Sequence, residues 1–390
     1  MIPLLPFYAE KMGASPTTVG LLIGTYAACQ LVSGPLLGRA SDFTGRKPLL
    51  LLSQVGTLIG FLMLAFAPNL WIVFLARVID GATAGNLSLA QAYISDVTQP
   101  EDRAKSFGVI GIAFGVGFLI GPAISGFLSQ FDYRDPIFAA AGLSATSILA
   151  TYFLLPRVTP QSPAPAIPAS EESASTSPGP SGRRLSLLQW GEYARYFRDP
   201  TLSTRLWQFL AFGFAFAMFT AGFPLFAERR LAWHGVPFGP KQVGYTWAYA
   251  GFLGIFLQGP ALGRMVKTFG ERALNRVGFA AYTAGYATLG FCFSIPVLIL
   301  ATTISTVGSL VRPTLTSLIT QATPREEQGV VLGLTQSLTS VAQITGPPLA
   351  GFLIQRGMLT GWGLTAAGVA LIGFVLATRP VGERAGSDSR

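Results

Sequence analysis

An all-α polytopic membrane protein is the fold class this sequence predicts, and three observations carry it. Half of the 390 residues are hydrophobic and only 12% are charged, against about 25% charged in an ordinary soluble domain. The apolar residues gather into runs of about 20, the length that takes a helix through a bilayer. The 45 Gly and 27 Pro are too many for soluble helices and are tolerated in spanning ones. Transmembrane strands would show about 10 residues of alternating polarity, whereas these runs are long and apolar on all sides. So few charges also exclude a soluble enzyme of this size.

Along the chain the runs fall near 17–38, 48–66, 70–94, 104–128, 136–156, 204–227, 241–263, 273–293, 296–321, 329–354 and 359–378. Charged or Pro/Gly clusters end each of them. Residues 157–200 are different, being rich in Pro, Ser and Ala, and cannot bury enough apolar area to order themselves. They read as a cytoplasmic linker, in which 190–197 has the pattern of a short amphipathic helix lying on the membrane. The expected organisation is a first bundle over 1–156, the linker over 157–200, a second bundle over 201–380 and a cytoplasmic tail over 381–390.

Lys and Arg set the orientation. With the loop at 39–47 placed in the cytoplasm, 19 of the 27 Lys and Arg residues fall on that side. The net charge of +9 is then topology rather than a nucleic-acid surface, because no basic patch is interleaved with aromatics on a soluble face.

The sequence repeats itself. GPLLGRASDFTGRK at 34–47 matches GPALGRMVKTFGER at 259–272, and GPAISGFL at 121–128 matches GPPLAGFL at 346–353, both at an offset of 225. QPEDR at 99–103 matches TPREE at 323–327. Three matches in order imply duplication, with the halves related about an axis normal to the membrane. FPLFAER, ending the run 204–227, pairs with LPFYAEK at 5–11, aligning Glu228 with Glu10. The first span is therefore expected to be largely missing here, with roughly 15–25 further residues upstream, one span's worth, completing six spans plus six.

These motifs resemble the major facilitator superfamily, and within it the drug:proton antiporters related to tetracycline efflux proteins. Gly38, Arg39, Asp42, Gly45, Arg46 and Lys47 lie in a stretch similar to the superfamily's loop signature, with Phe43 where an Arg is usual. Leu75–Gly81 resembles the fourth-span motif with its buried Arg. GFLIGPAISG, holding Gly117, Gly121, Pro122 and Gly126, resembles the fifth-span signature of antiporters, with Ser125 where many members have Gly. The resemblance implies two six-helix bundles, export by alternating access in a cell membrane, most simply a bacterial inner membrane, and a monomer exchanging a small lipophilic or amphiphilic compound for protons. The relatives' first-span acid has no counterpart here, and their third-span acid falls at Gly60.

Read physically, the loop cluster is expected to latch the cytoplasmic ends of the bundles, with Gly38 and Gly45 supplying positive φ; the alternative is a solvated turn that fixes topology. Arg77 and Asp80 are three apart and share a face. A charge at such depth costs on the order of 3 kcal/mol, so the pair faces the interior. Asp80 is the candidate proton carrier and Arg77 its modulator, a permanent structural ion pair being the alternative. Gly117 and Gly121 are one turn apart and Pro122 interrupts the ladder, which predicts close packing at a bundle interface. Arg312 either attracts a polar substrate or anchors its helix. Candidate cavity residues are Gln30, Asn86, Gln91, Gln208, Tyr245, Tyr249, Gln336 and Gln343, with Trp247 and Gln258 beside them; Phe214 and Phe216 are expected to face lipid. No Walker sequence, flavin motif or metal-ligand spacing is present, so no cofactor is expected. The other readings are a metabolite symporter or facilitator, and a receptor or assembly factor that no longer transports. No nucleophile–base pairing points to an enzyme.

Overall fold

The computed structural model describes residues 4–98, 103–156, 195–324 and 327–379. The predicted linker, apart from 195–200, lies outside the described residues, as does the tail at 381–390. Of the segment expected to be an amphipathic helix at 190–197, only Arg195 onward is described, and it begins a helical turn.

The first half contains α1 (Leu5–Lys11), α2 (Pro16–Thr44), α3 (Arg46–Ala65), α4 (Leu70–Ala82), α5 (Asn86–Val97), α6 (Arg103–Leu128) and α7 (Asp135–Leu154). The second contains α8 (Pro200–Arg230), α9 (Pro240–Phe256), α10 (Leu262–Phe269), α11 (Glu271–Gly290), α12 (Ile295–Val307), α13 (Val311–Gln321), α14 (Gln328–Gln355) and α15 (Leu359–Thr378). A π turn, Leu257–Ala261, joins α9 to α10, and a 3₁₀ turn, Gly308–Leu310, joins α12 to α13.

Side-chain caps define several starts. Ser15 accepts from the amide of Thr18 ahead of α2, Asn69 from Ile72 ahead of α4, and Asp199 from Thr201 and Leu202 ahead of α8, each satisfying an amide the helix leaves unpaired. The expected runs coincide with helices, but the run at 70–94 is broken at Thr83–Gly85. Among the described residues, seven helices or helix pairs are long and apolar enough to cross a membrane: α2, α3, α4–α5, α7, α8, α12–α13 and α15. The remaining runs fall short for local reasons. The π turn cuts α9 from α10, α11 opens with Glu271, Arg272 and Arg276, and α14 carries Gln, Ser and Thr among its apolar residues. One element the sequence reading missed is a hairpin of Ala232–Trp233 and Val236–Pro237. Its two-residue turn, His234 and Gly235, has φ of 51° and 78°, the positive pair that closes tight hairpins.

The repeat offset of 225 extends to the architecture. α3, α4 and α5 start at 46, 70 and 86; α11, α12 and α13 start at 271, 295 and 311. Even the break recurs, at 83–85 and 308–310. Gly45, with φ 92°, turns the chain from α2 into α3, and Gly270, with φ 79°, turns it from α10 into α11. A β-carbon at either corner would be strained. Gly38, expected to share this role, is an ordinary helical residue inside α2.

The bundles meet through one kind of contact made twice: α2 against α14, and α9 against α6. These pairs exchange under the repeat. Gly20 of α2 lies on the backbone of Pro347, and Gly351 of α14 on the backbone of Pro16 and Thr17. Gly38 is five turns along α2 from Gly20 on the same face, and Gly333 bears the same relation to Gly351. Both have nothing within 4 Å of where a Cβ would be. The two helices therefore touch at one end and part at the other. In the second contact a Cβ at Gly126 would stand 3.1 Å from Pro240 O and one at Gly251 3.0 Å from Leu119 Cα, whereas one at Gly115, nearer the other end, would be 3.8 Å from Ile255. The parted end is the one that carries the 39–47 loop.

α8 runs through the middle of the second half, packed by α14 and α15. Phe214 and Phe216, expected to face lipid, pack against the apolar core instead, and Phe216 stacks on Phe212 at 5.9 Å. A helix enclosed on most sides has little lipid-facing surface to give them. α1 lies against α2 and α8, and the hydroxyl of Tyr8 ties it to α3 by donating to Leu64 O at 2.8 Å.

Gly351→Leu is expected to lower stability by about 1–3 kcal/mol, the usual cost of overpacking, while Gly333→Leu on the same face stays within about 0.5 kcal/mol. Thermal unfolding of the two variants in detergent compares them directly.

Candidate functional site

Ser53 of α3 makes the break between α4 and α5 tenable. Its hydroxyl donates to Thr83 O and accepts from the amide of Gly85 at 3.0 Å, satisfying two backbone groups that apolar surroundings would leave unpaired. The equivalent residue in the second half is Gly278, where a Cβ would stand 3.2 Å from Val311 N; there the chain continues through its 3₁₀ turn.

One turn before the break, Arg77 and Asp80 form an ion pair at 3.4 Å, with side chains 11% and 8% exposed. A Cβ at Gly60 of α3 would stand 3.0 Å from Asp80 Cβ, so a side chain there would press on the acid. The Thr57 hydroxyl bonds to the Asp80 carboxylate, and Asn86 Nδ2 donates to Thr57 Oγ1 at 3.3 Å. The Arg77 guanidinium lies 5.9 Å from the centre of the Tyr26 ring, a cation–π distance, and Gln30 Nε2 donates to the Tyr26 hydroxyl at 3.4 Å. Nε and Nη2 of Arg77 and Oδ1 of Asn86 have no hydrogen-bond partner among the described residues. The structure thus gathers Arg77, Asp80, Asn86 and Gln30 around one buried acid and adds two residues that sequence reasoning missed, Tyr26 and Thr57. Tyr26 was legible as the aromatic one turn before Gln30, and Thr57 as a hydroxyl three residues before Gly60.

The other candidates lie apart. Gln208 is buried and accepts from Asn275 Nδ2 at 2.9 Å, a bond between α8 and α11 inside the second bundle. Tyr249 shares a hydrogen bond with Thr303 at 2.9 Å, tying α9 to α12. Gln91, Tyr245, Arg312, Gln336 and Gln343 are exposed; the last two are seven apart on one face of α14. Trp247 is buried between Phe118 of the first bundle and Phe223 of α8, with ring centres 6.0 and 6.4 Å away. In the second bundle Tyr282 stands where Thr57 stands in the first, and Ser305 where Asp80 stands, with Gly285 against it. Tyr282 and Tyr286 stack at 5.2 Å, and Phe219 stacks on Tyr286 at 5.0 Å. One half therefore holds the buried charges and the other an aromatic stack at the matching depth.

The loop cluster centres on Arg46. It pairs with Asp42 at 2.7 Å and Asp96 at 2.8 Å, and donates to Ser41 Oγ at 2.6 Å. Lys47 donates to Tyr152 O and Leu155 O at the end of α7. These partners belong to the first bundle, so in this structure Arg46 and Lys47 brace α2, α3, α5 and α7 against one another. The second half keeps the geometry without the ion pair: the Glu271 carboxylate, at the position of Arg46, accepts from the neutral amide of Gln321, at the position of Asp96, at 2.9 Å. Of the fifth-span glycines, Gly126 makes the expected close approach, while Gly117 and Gly121 have nothing within 4 Å of a Cβ position. They lie on a different face of α6 from the one that meets α9. Among the described residues no group of three His, Cys, Asp or Glu side chains stands close enough to hold a metal.

Two repeated bundles of membrane-spanning helices, joined at one end and parted at the other around buried charge, define a membrane transporter. The chain belongs to the Major Facilitator Superfamily, whose family model matches residues 1–291 and 238–389. It is 29% identical over 371 residues to the tetracycline resistance protein, class B, of Escherichia coli, covering 93% of this chain and 86% of that protein. It is 26% identical to multidrug resistance protein 2 of Bacillus subtilis (strain 168), covering 94% and 90%. The crystal structure of the human organic anion transporter MFSD10 superposes with a TM-score of 0.65 over 96% of this chain and 94% of that one, at 23% identity.

Replacing Arg46 by Ala is expected to cost about 1 kcal/mol more than replacing Glu271 by Ala, since Arg46 pairs with two carboxylates whereas Glu271 accepts from the neutral Ser317 and Gln321, and partial exposure screens the ion pairs. Thermal unfolding of both variants in low and high salt tests this, and the difference shrinks as salt rises.

Proposed function

We propose that this protein exports a small lipophilic or amphiphilic compound in exchange for protons, by rocking its two bundles about the contacts of α2 with α14 and α6 with α9. The observation that carries the reading is the buried Arg77–Asp80 pair, held by Thr57 and Tyr26 next to the break in its span. Asp80 is the one buried carboxylate among the described residues. A proton carrier needs a group whose charge can be neutralised at depth and whose surroundings change with access. Asp80 takes a proton when the site opens outward and yields it when the site opens inward, with Arg77 holding the deprotonated form. The stack of Phe219, Tyr282 and Tyr286 at the matching depth lies inside the apolar core of the second bundle, which leaves the ionisable centre to the first bundle alone. Similarity to tetracycline and multidrug resistance proteins favours outward flux.

The parted end carries most of the Lys and Arg, so the positive-inside rule puts it in the cytoplasm, and the structure is then inward-facing. The protein works as a monomer in the bacterial inner membrane.

Inside-out vesicles with an imposed pH gradient test the reading. Asp80→Asn is expected to cut gradient-driven uptake by at least about tenfold, or about 1.4 kcal/mol of barrier, with membrane insertion unchanged. Full transport by this variant would leave Asp80 as scaffold. Solute entry without counterflow of protons would make the protein a facilitator.

A further inference from the structure

The end at which the bundles meet also carries an ionic contact between them. Glu10, in the last turn of α1, accepts from Arg229 Nη2 at 2.6 Å. Glu228, beside it on α8, lies 3.3 Å from Nη1 of the same guanidinium, which also donates to Leu225 O at 3.2 Å. Arg229 therefore joins acids from opposite bundles. Under the repeat, LPFYAEK and FPLFAER align Glu10 with Glu228, so the contact brings two copies of one position together at the axis between the halves. The position after each has diverged in use. Arg229 crosses to the other bundle, whereas Lys11 is exposed and sits 3.5 Å over the Tyr133 ring of its own bundle.

The neighbouring charges are otherwise engaged. Tyr133 stands within electrostatic reach of Glu228. Asp132 accepts from the amide of Arg134 at 2.7 Å, and both bear on Tyr8. Arg230 turns into the second bundle, donating to Cys292 O and Thr360 and lying 3.7 Å over Phe293. Two carboxylates thus share one guanidinium, and the contact leaves one negative charge unmatched. A proton on either acid removes it. Glu10 already spans the bundles, so Glu228 is the acid that can be neutralised without losing the bridge.

We propose that Glu10, Arg229 and Glu228 form a clasp across the bundles, at the end away from the arginine-rich loops, which closes as Glu228 takes a proton from solution on that side and reopens as it returns it. The idea rests on the rocking motion proposed above and adds a second proton-linked element far from Asp80. In an exchanger such a clasp ties closure on the outer side to proton entry.

The test measures distance, not transport. Nitroxide labels at Gln130→Cys and Met358→Cys, both exposed and on opposite bundles, report the gap in lipid nanodiscs without solute, after Cys29 and Cys292 are replaced by Ala. Between about pH 5 and about pH 8.5 the closed-to-open ratio should fall several-fold, one linked proton setting a ceiling of about tenfold per pH unit. Glu228→Gln should stay closed across the range. Glu10→Gln and Arg229→Met should shift toward the open distance at every pH. The double variant Glu10→Arg with Arg229→Glu should restore the closed distance, which separates loss of the clasp from loss of the fold. A wild-type distance independent of pH, a Glu228→Gln variant that titrates like wild type, or single variants that remain closed would each overturn the proposal. Since no flux is read, a failed export assay and a failed clasp are distinguishable.

Discussion

Every backbone amide and carbonyl in a hydrocarbon layer needs a partner within the protein, and the rest of the structure follows from how this chain meets that demand. Helices satisfy it without help, so the apolar runs become helices. Breaks then need explicit repair. At Thr83–Gly85 one hydroxyl, Ser53, serves both a carbonyl and an amide; at Gly308–Leu310 the chain tightens to a 3₁₀ turn against Gly278. Helices without free backbone groups can approach each other only through small residues. Gly20, Gly351, Gly126 and Gly251 supply that surface, and they supply it at one end and the middle. The glycine faces of α2 and α14 continue to Gly38 and Gly333, but there the helices have parted and nothing fills the space beside them.

The duplication makes departures from symmetry informative. Matching positions share geometry, so a change of residue type isolates a change of role. Arg46 with Asp96 becomes Glu271 with Gln321, preserving a bridge between corresponding helices while replacing its ion pair by a bond from a neutral amide to a carboxylate. Asp80 against Gly60 becomes Ser305 against Gly285, and Thr57 becomes Tyr282. The first bundle keeps the ionisable centre and the second keeps the rings.

The same frame sets the outer ends of α1 and α8 side by side, where a twofold relation would place like charges together. One arginine between two glutamates resolves that conflict incompletely. The unmatched charge there and the buried pair around Asp80 lie at different depths of one molecule, and each joins elements that the rocking of the bundles would separate or realign.

Much of this was legible in the sequence because the signals are one-dimensional. Run length gives spans, the offset of 225 gives the repeat, Gly45 marks a corner that needs positive φ, and two charges three apart in an apolar run share a face. What lies beyond one helix was not legible. Gly117, Gly121 and Gly126 read alike along the chain, yet only Gly126 meets the facing helix, because rotation about the axis is set by the neighbour. Phe214 and Phe216 look lipid-facing until α8 is seen enclosed. Arg46 carries a loop signature, but its partners could be assigned to one bundle only once α5 and α7 were placed beside it. Composition and period act along the chain and fix which segments cross the membrane and how they repeat. Partners are chosen across it, by which faces fit at van der Waals distance, and that choice alone assembled Tyr26, Thr57 and Asn86 around Asp80 and set Glu10 against Arg229.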